Sequence, residues 1–284
     1  MKGLLFSREN TEETISKVVK YALSSPFLMY QTLSVSSLHL RTSHPNRAQS
    51  LKDESARLQT EALQMFNDSV KEITAENVIP AFFYSALLGF HYFCDTFSMP
   101  SESLDSFLDR LVQSIRLLQG VRAVLDGWWE FLLDSEIKPL IHLGEPAIDR
   151  NDEVVQHLEK LYGHITESSV LDDPQSKAYE EAVRQMIWVY KCQPSSEVED
   201  ETFSMWMMTT WPIMVPAEYA NLLAQRKPEA LIILSYFAVL VHKCREFWAI
   251  GEGGRFMLDV LEEYLGEEWN TWLAWPRSVI HPSG

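Results

Sequence analysis

Apolar positions along this chain recur at steps of three and four residues, the period of helices that bury one face. The clearest stretch runs from Ala48 to Ile73. Leu51, Ser55, Leu58, Ala62, Met65 and Ser69 form one stripe there, while Lys52, Asp53, Arg57, Glu61, Asp68 and Lys71 fall elsewhere. "TEETISKVVKYAL" has the same character, with Asn10 as N-cap, Glu13 three residues on, and apolar residues at Ile15, Val18, Val19, Ala22 and Leu23. Pro26 restarts the chain, and "FLMYQTLSVSSLHL" is apolar on most faces, as a buried helix would be, until Pro45 breaks it. "VIPAFFYSALLGFHYFCDTF" is too aromatic for a surface helix. "MPSES" (Met99 to Ser103) then separates it from two patterns, Leu104 to Leu118 and Val121 to Leu133, with Gly120 between them.

Residues 134–150 hold Pro139, Gly144 and Pro146 and read as irregular; helical patterns resume at Glu153 to Ile165 and Lys177 to Tyr190. "QPSSEVEDE" reads as a solvated acidic connector, and two prolines bracket "WPIMVP". Pro228 opens an apolar helix of about 20 residues that ends near "FWAIGEGG", and a last helical pattern starts at about Arg255. No alternating strand pattern, hairpin signal or solenoid repeat is present, and no connector has linker composition. The expected fold is all-α, a single multi-helix domain over residues 1–284 that encloses an apolar pocket.

Charge narrows the partners. Twenty-four basic residues face 40 acidic ones, a net charge of −16 with no basic block, so direct contact with nucleic acid or anionic membrane is not expected. The three cysteines are widely spaced, which fits a reducing compartment rather than a disulfide framework. The short apolar stretch before Ser7 is not a signal peptide. The longest apolar run, the twelve residues Ala230 to Val241, is too short to span a bilayer. These features lead us to expect a soluble protein in the cytoplasm or nucleus.

Motif searches come back empty. There is no P-loop, HExxH, GxSxG or EF-hand loop, and no CxxC, so no metal site and no cofactor are expected. His91 and Cys94 are spaced as HxxC without further ligands nearby. "LDDPQ", Leu171 to Gln175, has an acidic pair, but Pro174 follows directly and makes it a turn. "GEGG" follows a helix rather than a strand. It therefore reads as a helix stop at Gly251 and a tight turn, not a phosphate cradle.

The tail carries a family resemblance. "WPIMVP", the Pro228–Ala230–Leu231 helix start, the Phe247–Trp248 pair, Gly251 and Gly253, and the closing "WLAWP" of Trp272, Leu273, Trp275 and Pro276 occur in one order. This order resembles the C-terminal ligand-sensing domain of fungal zinc-cluster transcription factors of the sterol uptake control type. "SPFLMYQTLSVSSLHL" and "IRLLQGVRAVLDGWW" resemble its early and central buried helices, so the resemblance covers most of the chain. It implies an all-α domain around a deep apolar pocket for a sterol, with occupancy controlling nuclear entry and transcription. The family's Cys-x2-Cys-x6-Cys cluster does not occur in this sequence, which starts directly in helical pattern.

Two functions follow. One is a stand-alone pocket protein of fungal secondary metabolism, a cofactor-free cyclase that folds a bulky terpenoid, sterol-like or polyketide precursor for an intramolecular Diels–Alder reaction. The other is a ligand-sensing regulatory domain whose DNA-binding part is absent. For either, large apolar residues around two proline breaks and the glycine turn single out Trp211, Met214, Tyr236, Leu240, Phe247 and Trp248 as ligand contacts, with Trp128, Trp206 and Met207 behind them. The Tyr236 hydroxyl is the candidate catalytic donor to a substrate carbonyl. His242, about 120° around the same helix, faces elsewhere. Gly251, Gly253 and Gly254 form a gate or a packing constraint, with at least one residue at positive φ expected.

Overall fold

The protein is described by a computed structural model covering residues 11–98, 103–138, 153–168, 173–192 and 201–282, with side chains given for all of these except 11–14, 125, 168 and 201–207. Thirteen α-helices make up most of it, and no strand occurs among the described residues. They group into two compact units, one of residues 11–95 and 114–138, the other of 96–113 and 153–282. Two of the boundaries fall within the described residues, both inside helices, α4 (Val78–Ser98) and α5 (Leu104–Leu125).

In the first unit, α1 (Thr11–Ser24) leads into α2 (Pro26–Ser43), which packs along α3 (Ala48–Ser69), and α6 (Trp129–Asp134) closes the segment. The stripe of α3 buries Leu51, Ser55, Leu58 and Ala62, then fades at half-buried Met65 and exposed Ser69. Two serines form the α2–α3 seam: Ser34 Oγ donates to the Ser55 carbonyl at 2.7 Å and Ser55 Oγ to the Ser34 carbonyl at 2.8 Å. With the Ser34 hydroxyl proton so placed, His91 Nδ1 of α4 donates to Ser34 Oγ, at 3.1 Å. His91 and Cys94 are thus core groups, 6% and 0% exposed, and burial pushes the Cys94 thiol well up.

Burial also pulls the His91 pKa down to about 4, with Asp95 opposing and Arg41 assisting. Unfolded, a histidine titrates near 6.5, so between those values the unfolded chain binds more protons than the folded one. Stability is therefore expected to be complete above that window and to fall by about 3 kcal/mol as pH drops through it. Urea unfolding of the wild type and His91→Gln across this window checks it. The variant should show a visibly shallower decline, and an unchanged decline would remove His91 as its source.

In the second unit, α7 (Glu153–Ser168), α8 (Pro174–Lys191), α9 (Glu201–Met214), α10 (Ala217–Ala224), α12 (Gly253–Leu265) and α13 (Asn270–Ile280) accompany a central α11 (Pro228–Lys243). Every residue of α11 from Ala230 to Val241 is buried, and α8, α9, α10, α12 and α13 all contact it. A helix surrounded in this way has no polar face, which is why its sequence is one unbroken apolar run. Arg226, in the turn before it at φ 57°, donates to Asp105 Oδ1 at 3.1 Å and Asp109 Oδ1 at 2.8 Å and so ties this turn to the start of α5.

Several expected boundaries move. Gly120 does not divide α5, because a glycine inside a helix costs only ~1 kcal/mol; the break comes at Gly127, at φ 76°. α11 is 16 residues rather than about 20. After Lys243 the chain turns through three-residue steps, Cys244 N to Val241 O at 3.0 Å, Phe247 N to Cys244 O at 2.9 Å and Ile250 N to Phe247 O at 2.9 Å. α12 starts at Gly253, not Arg255, and α8 starts at Pro174, with Asp173 of "LDDPQ" as its N-cap. Pro212 lies within α9 rather than marking a break, and that helix begins inside the expected acidic connector, at Glu201. On α1, Ala22 is buried while Ile15, Val19 and Leu23 are exposed. Asn10, residues 99–102 of "MPSES" and the irregular stretch from 139 lie outside the described residues.

Candidate functional site

The residues singled out from sequence are distributed over several settings. Trp211 is fully buried on α9. Its indole Nε1–H donates to the Ala182 carbonyl of α8 at 2.9 Å, and its ring stacks on Phe237 (4.6 Å, 28°) with Tyr219 edge-on at 5.5 Å. Met214 is half-buried at the end of α9. Tyr236 and Leu240 are buried on α11 one turn apart. The Tyr236 ring stacks on Trp275 of α13 (5.4 Å, 20°), so neighbours Tyr236 and Phe237 engage different helices. Phe247 and Trp248 are half-buried in the turns after α11, their rings 5.4 Å apart. Trp128 precedes α6 in the other unit, edge-on to Phe131 at 5.6 Å. Trp206 and Met207 lie on α9, and their side chains are outside the described residues.

The glycine turn resolves into three environments. Gly251 has φ 49° with no atom within 4 Å of a Cβ position. At Gly253 a Cβ would meet the Phe97 ring at 2.6 Å. At Gly254 it would meet backbone, His242 N at 2.4 Å and Ala238 O at 2.7 Å, where α12 crosses α11.

Two tyrosines of this core differ in their hydroxyls. Tyr219 donates to the Ala230 carbonyl at 2.9 Å, whereas the Tyr236 hydroxyl makes no hydrogen bond among the described residues; burial raises its pKa above the ordinary phenol value. Tyr219→Phe is expected to cost about 1 kcal/mol, and Tyr236→Phe close to nothing, in urea unfolding. A loss at Tyr236 equal to that at Tyr219 would show that its hydroxyl is bonded in the folded core.

A pocket of about 370 Å³ opens elsewhere in the same unit, where α7 meets the first turns of α8, α11 and α13. Leu161 and Ile165 of α7, Tyr179 of α8 and Ile232 of α11 supply its apolar lining, and half-buried Trp269 and Trp272 supply its aromatic wall. His164 stacks on Trp272 at 4.7 Å. One turn along α13, Trp275 stacks on both His157 (5.5 Å) and Tyr236. The rim is charged: Asp173, Lys227 and Glu229. Asp173 Oδ2 accepts from Ser176 N at 3.2 Å and Ser176 Oγ at 3.1 Å, as an N-cap does. Lys227 and Glu229 sit at the start of α11 and form no ion pair among the described residues. Burial, followed by Glu229, Asp173 and Glu218, raises the Tyr179 pKa above the ordinary phenol value.

Among the described side chains, none of the ligand-contact or gate residues singled out from sequence lines this pocket. Leu161 and Ile165 belong to the buried stripe of α7, but the other walls come from the starts of α8, α11 and α13, whose residues do not follow a stripe that marks a helix face. The available signals are the paired tryptophans of "EEWNTW" and Asp173 of "LDDPQ", a turn residue by sequence and the N-cap of α8 in the structure. Among the described residues no three His, Cys, Asp or Glu are placed to hold a metal ion, and no helix is long and apolar enough to cross a membrane.

Comparison with known proteins adds an independent line. The family model described as "Fungal specific transcription factor domain" matches residues 7–122. A "Zn(2)-C6 fungal-type transcription factor" of Gibberella zeae is 25% identical over 271 residues, which cover 89% of this chain and 53% of that protein. The chain thus spans about half the length of that relative. No solved structure matches. By its N-terminal helices and along most of its length, the chain resembles fungal zinc-cluster transcription factors.

Proposed function

We propose that this chain is a ligand-responsive regulatory domain of the fungal zinc-cluster transcription factor type. The observation that carries the reading is the similarity to such a factor along 89% of the chain, joined by the domain match at residues 7–122. A pocket of about 370 Å³, within the usual size range of small-molecule sites, supports a ligand, and a net charge of −16 disfavours direct contact with DNA by these residues. The similarity favours this reading over a cofactor-free cyclase. Nuclear or cytoplasmic residence follows from it.

The two unit boundaries among the described residues fall inside continuous helices, which supports one cooperative domain over residues 1–284. A single calorimetric transition with matching van't Hoff enthalpy is the expected behaviour, and two resolved transitions would refute it. Within that domain, the proposed part of Trp211, Met214, Tyr236, Leu240, Phe247 and Trp248 is to form an apolar body that answers to the bound ligand. Trp275, stacked on Tyr236 one turn from Trp272, supplies the link.

The test is a fusion of the chain to a heterologous DNA-binding module driving a reporter, with and without an apolar fungal extract. Output several-fold different from the module alone, and shifted by the extract, is expected. Output identical to the module alone in both conditions overturns the reading. Incubation with linear polyene precursors runs beside it, and isomerisation to a ring product would restore the cyclase.

A further inference from the structure

The pocket between α7, α8, α11 and α13 has a lining whose chemistry selects one class of ligand. Its wall is aromatic: Trp269 and Trp272 are half-buried, and Tyr179 is buried with its ring among the lining residues. The faces of such rings attract cations, indole most strongly. Two of the polar groups around them are carboxylates, set among His164, Gln175 and Ser176. Glu229 is exposed and forms no ion pair among the described residues; Asp173 spends one carboxylate oxygen, Oδ2, on Ser176. Both carboxylates lie near enough to Tyr179 to disfavour its ionisation.

Against the two carboxylates, Lys227 is the only Lys or Arg of the lining among the described residues. An anion entering here gains Lys227 and meets two carboxylates; a cation gains both carboxylates, the Trp269 ring and the Trp272 face that His164 does not cover, and meets one ammonium. The chain's net charge of −16 adds to the second case.

We propose that this pocket is a binding site for an amphiphilic organic cation, an ammonium group carried on a small ring or short apolar body. The ammonium sits against Trp269 and Trp272 beside Glu229, and the apolar body lies on Ile232, Ile165 and Leu161. The site deepens the regulatory reading by giving it a ligand class. Its consequence for transcription rests on that reading, but binding itself does not.

Three probes of one shape decide it: benzyltrimethylammonium, benzyl alcohol and phenylacetate, titrated into the full chain. Calorimetry reads affinity, and the indole N–H resonances, assigned through Trp269→Phe and Trp272→Phe, read location. The ammonium probe is expected to shift these two resonances and to bind about ten-fold more tightly than either of the others. Glu229→Gln, a surface change that leaves the fold intact, should weaken the ammonium probe several-fold and leave the alcohol unchanged. Lys227→Gln should tighten the ammonium probe. Phenylacetate binding as tightly as the cation, a Glu229→Gln variant with unchanged ammonium affinity, or indole resonances unmoved by all three probes would each overturn the proposal. Binding without a reporter response to the same cation leaves the site standing and counts against the regulatory reading alone.

Discussion

Gly254→Ala is expected to destabilise the protein by about 3 kcal/mol, more than alanine at either neighbouring glycine. A Cβ there would lie 2.4 Å from His242 N and 2.7 Å from Ala238 O, both backbone atoms of the buried α11. Neither can turn aside, so α12 must move off α11 and lose packing along the whole crossing. Gly253→Ala meets Phe97 Cδ1 at 2.6 Å, near the base of that ring, and a side chain can rotate aside where a helix backbone cannot, so about 1 kcal/mol is expected. Gly251→Ala meets no atom within 4 Å, but φ 49° disfavours a side chain by about 1 kcal/mol. Urea midpoints at constant m measure the order. A Gly254→Ala variant no less stable than Gly251→Ala would mean that the crossing can yield. The same variants test the gate: if Gly251→Ala loses stability but keeps its affinity for the ammonium probe, the turn is only a stop.

How far the chain could be read follows from what each part answers to. The stripe on α3 and the unbroken apolar run of α11 are set by burial, and burial pattern is visible in one dimension. Positive φ at Gly251 was legible for a similar reason, since glycine is the residue that adopts it at no steric cost. Boundaries were harder. Gly120 and Pro212 are breakers by propensity, yet neighbouring contacts carry both helices through them. The end of α11 was misjudged because Phe247 and Trp248 extend the apolar character past Lys243, although the backbone has already left the helix for a series of turns. The pocket was the least legible feature. Asp173, Lys227 and Trp269 come together only through the mutual packing of α7, α8, α11 and α13, and no spacing within any one helix encodes that. The residues that sequence did select, Trp211 and Tyr236 above all, are large and apolar, and size and apolarity mark a core wall as readily as a ligand wall.

Trp211 offers the sharpest separation of those two roles. Trp211→Ala is expected to cost about 4 kcal/mol, near the top of the range for a buried aromatic. The ring is fully buried, stacked on Phe237 and edged by Tyr219, and its N–H is bonded to Ala182, so truncation removes packing on α8, α10 and α11 at once. Trp211→Phe keeps most of the stack and deletes the hydrogen bond. Ala182 lies within α8, where its carbonyl has a helical donor as well, so this change should cost about 1 kcal/mol beyond the lost ring area. A double variant with Phe237→Leu should be less destabilised than the sum of its parts, because the two rings share one contact. The alternative has a different signature. If Trp211 walls a cavity kept open for a ligand, the alanine variant loses under about 2 kcal/mol, since no tight packing is there to lose, and it gains affinity for larger apolar molecules. Stability and binding measured on the same two variants therefore distinguish a packed core from a second pocket.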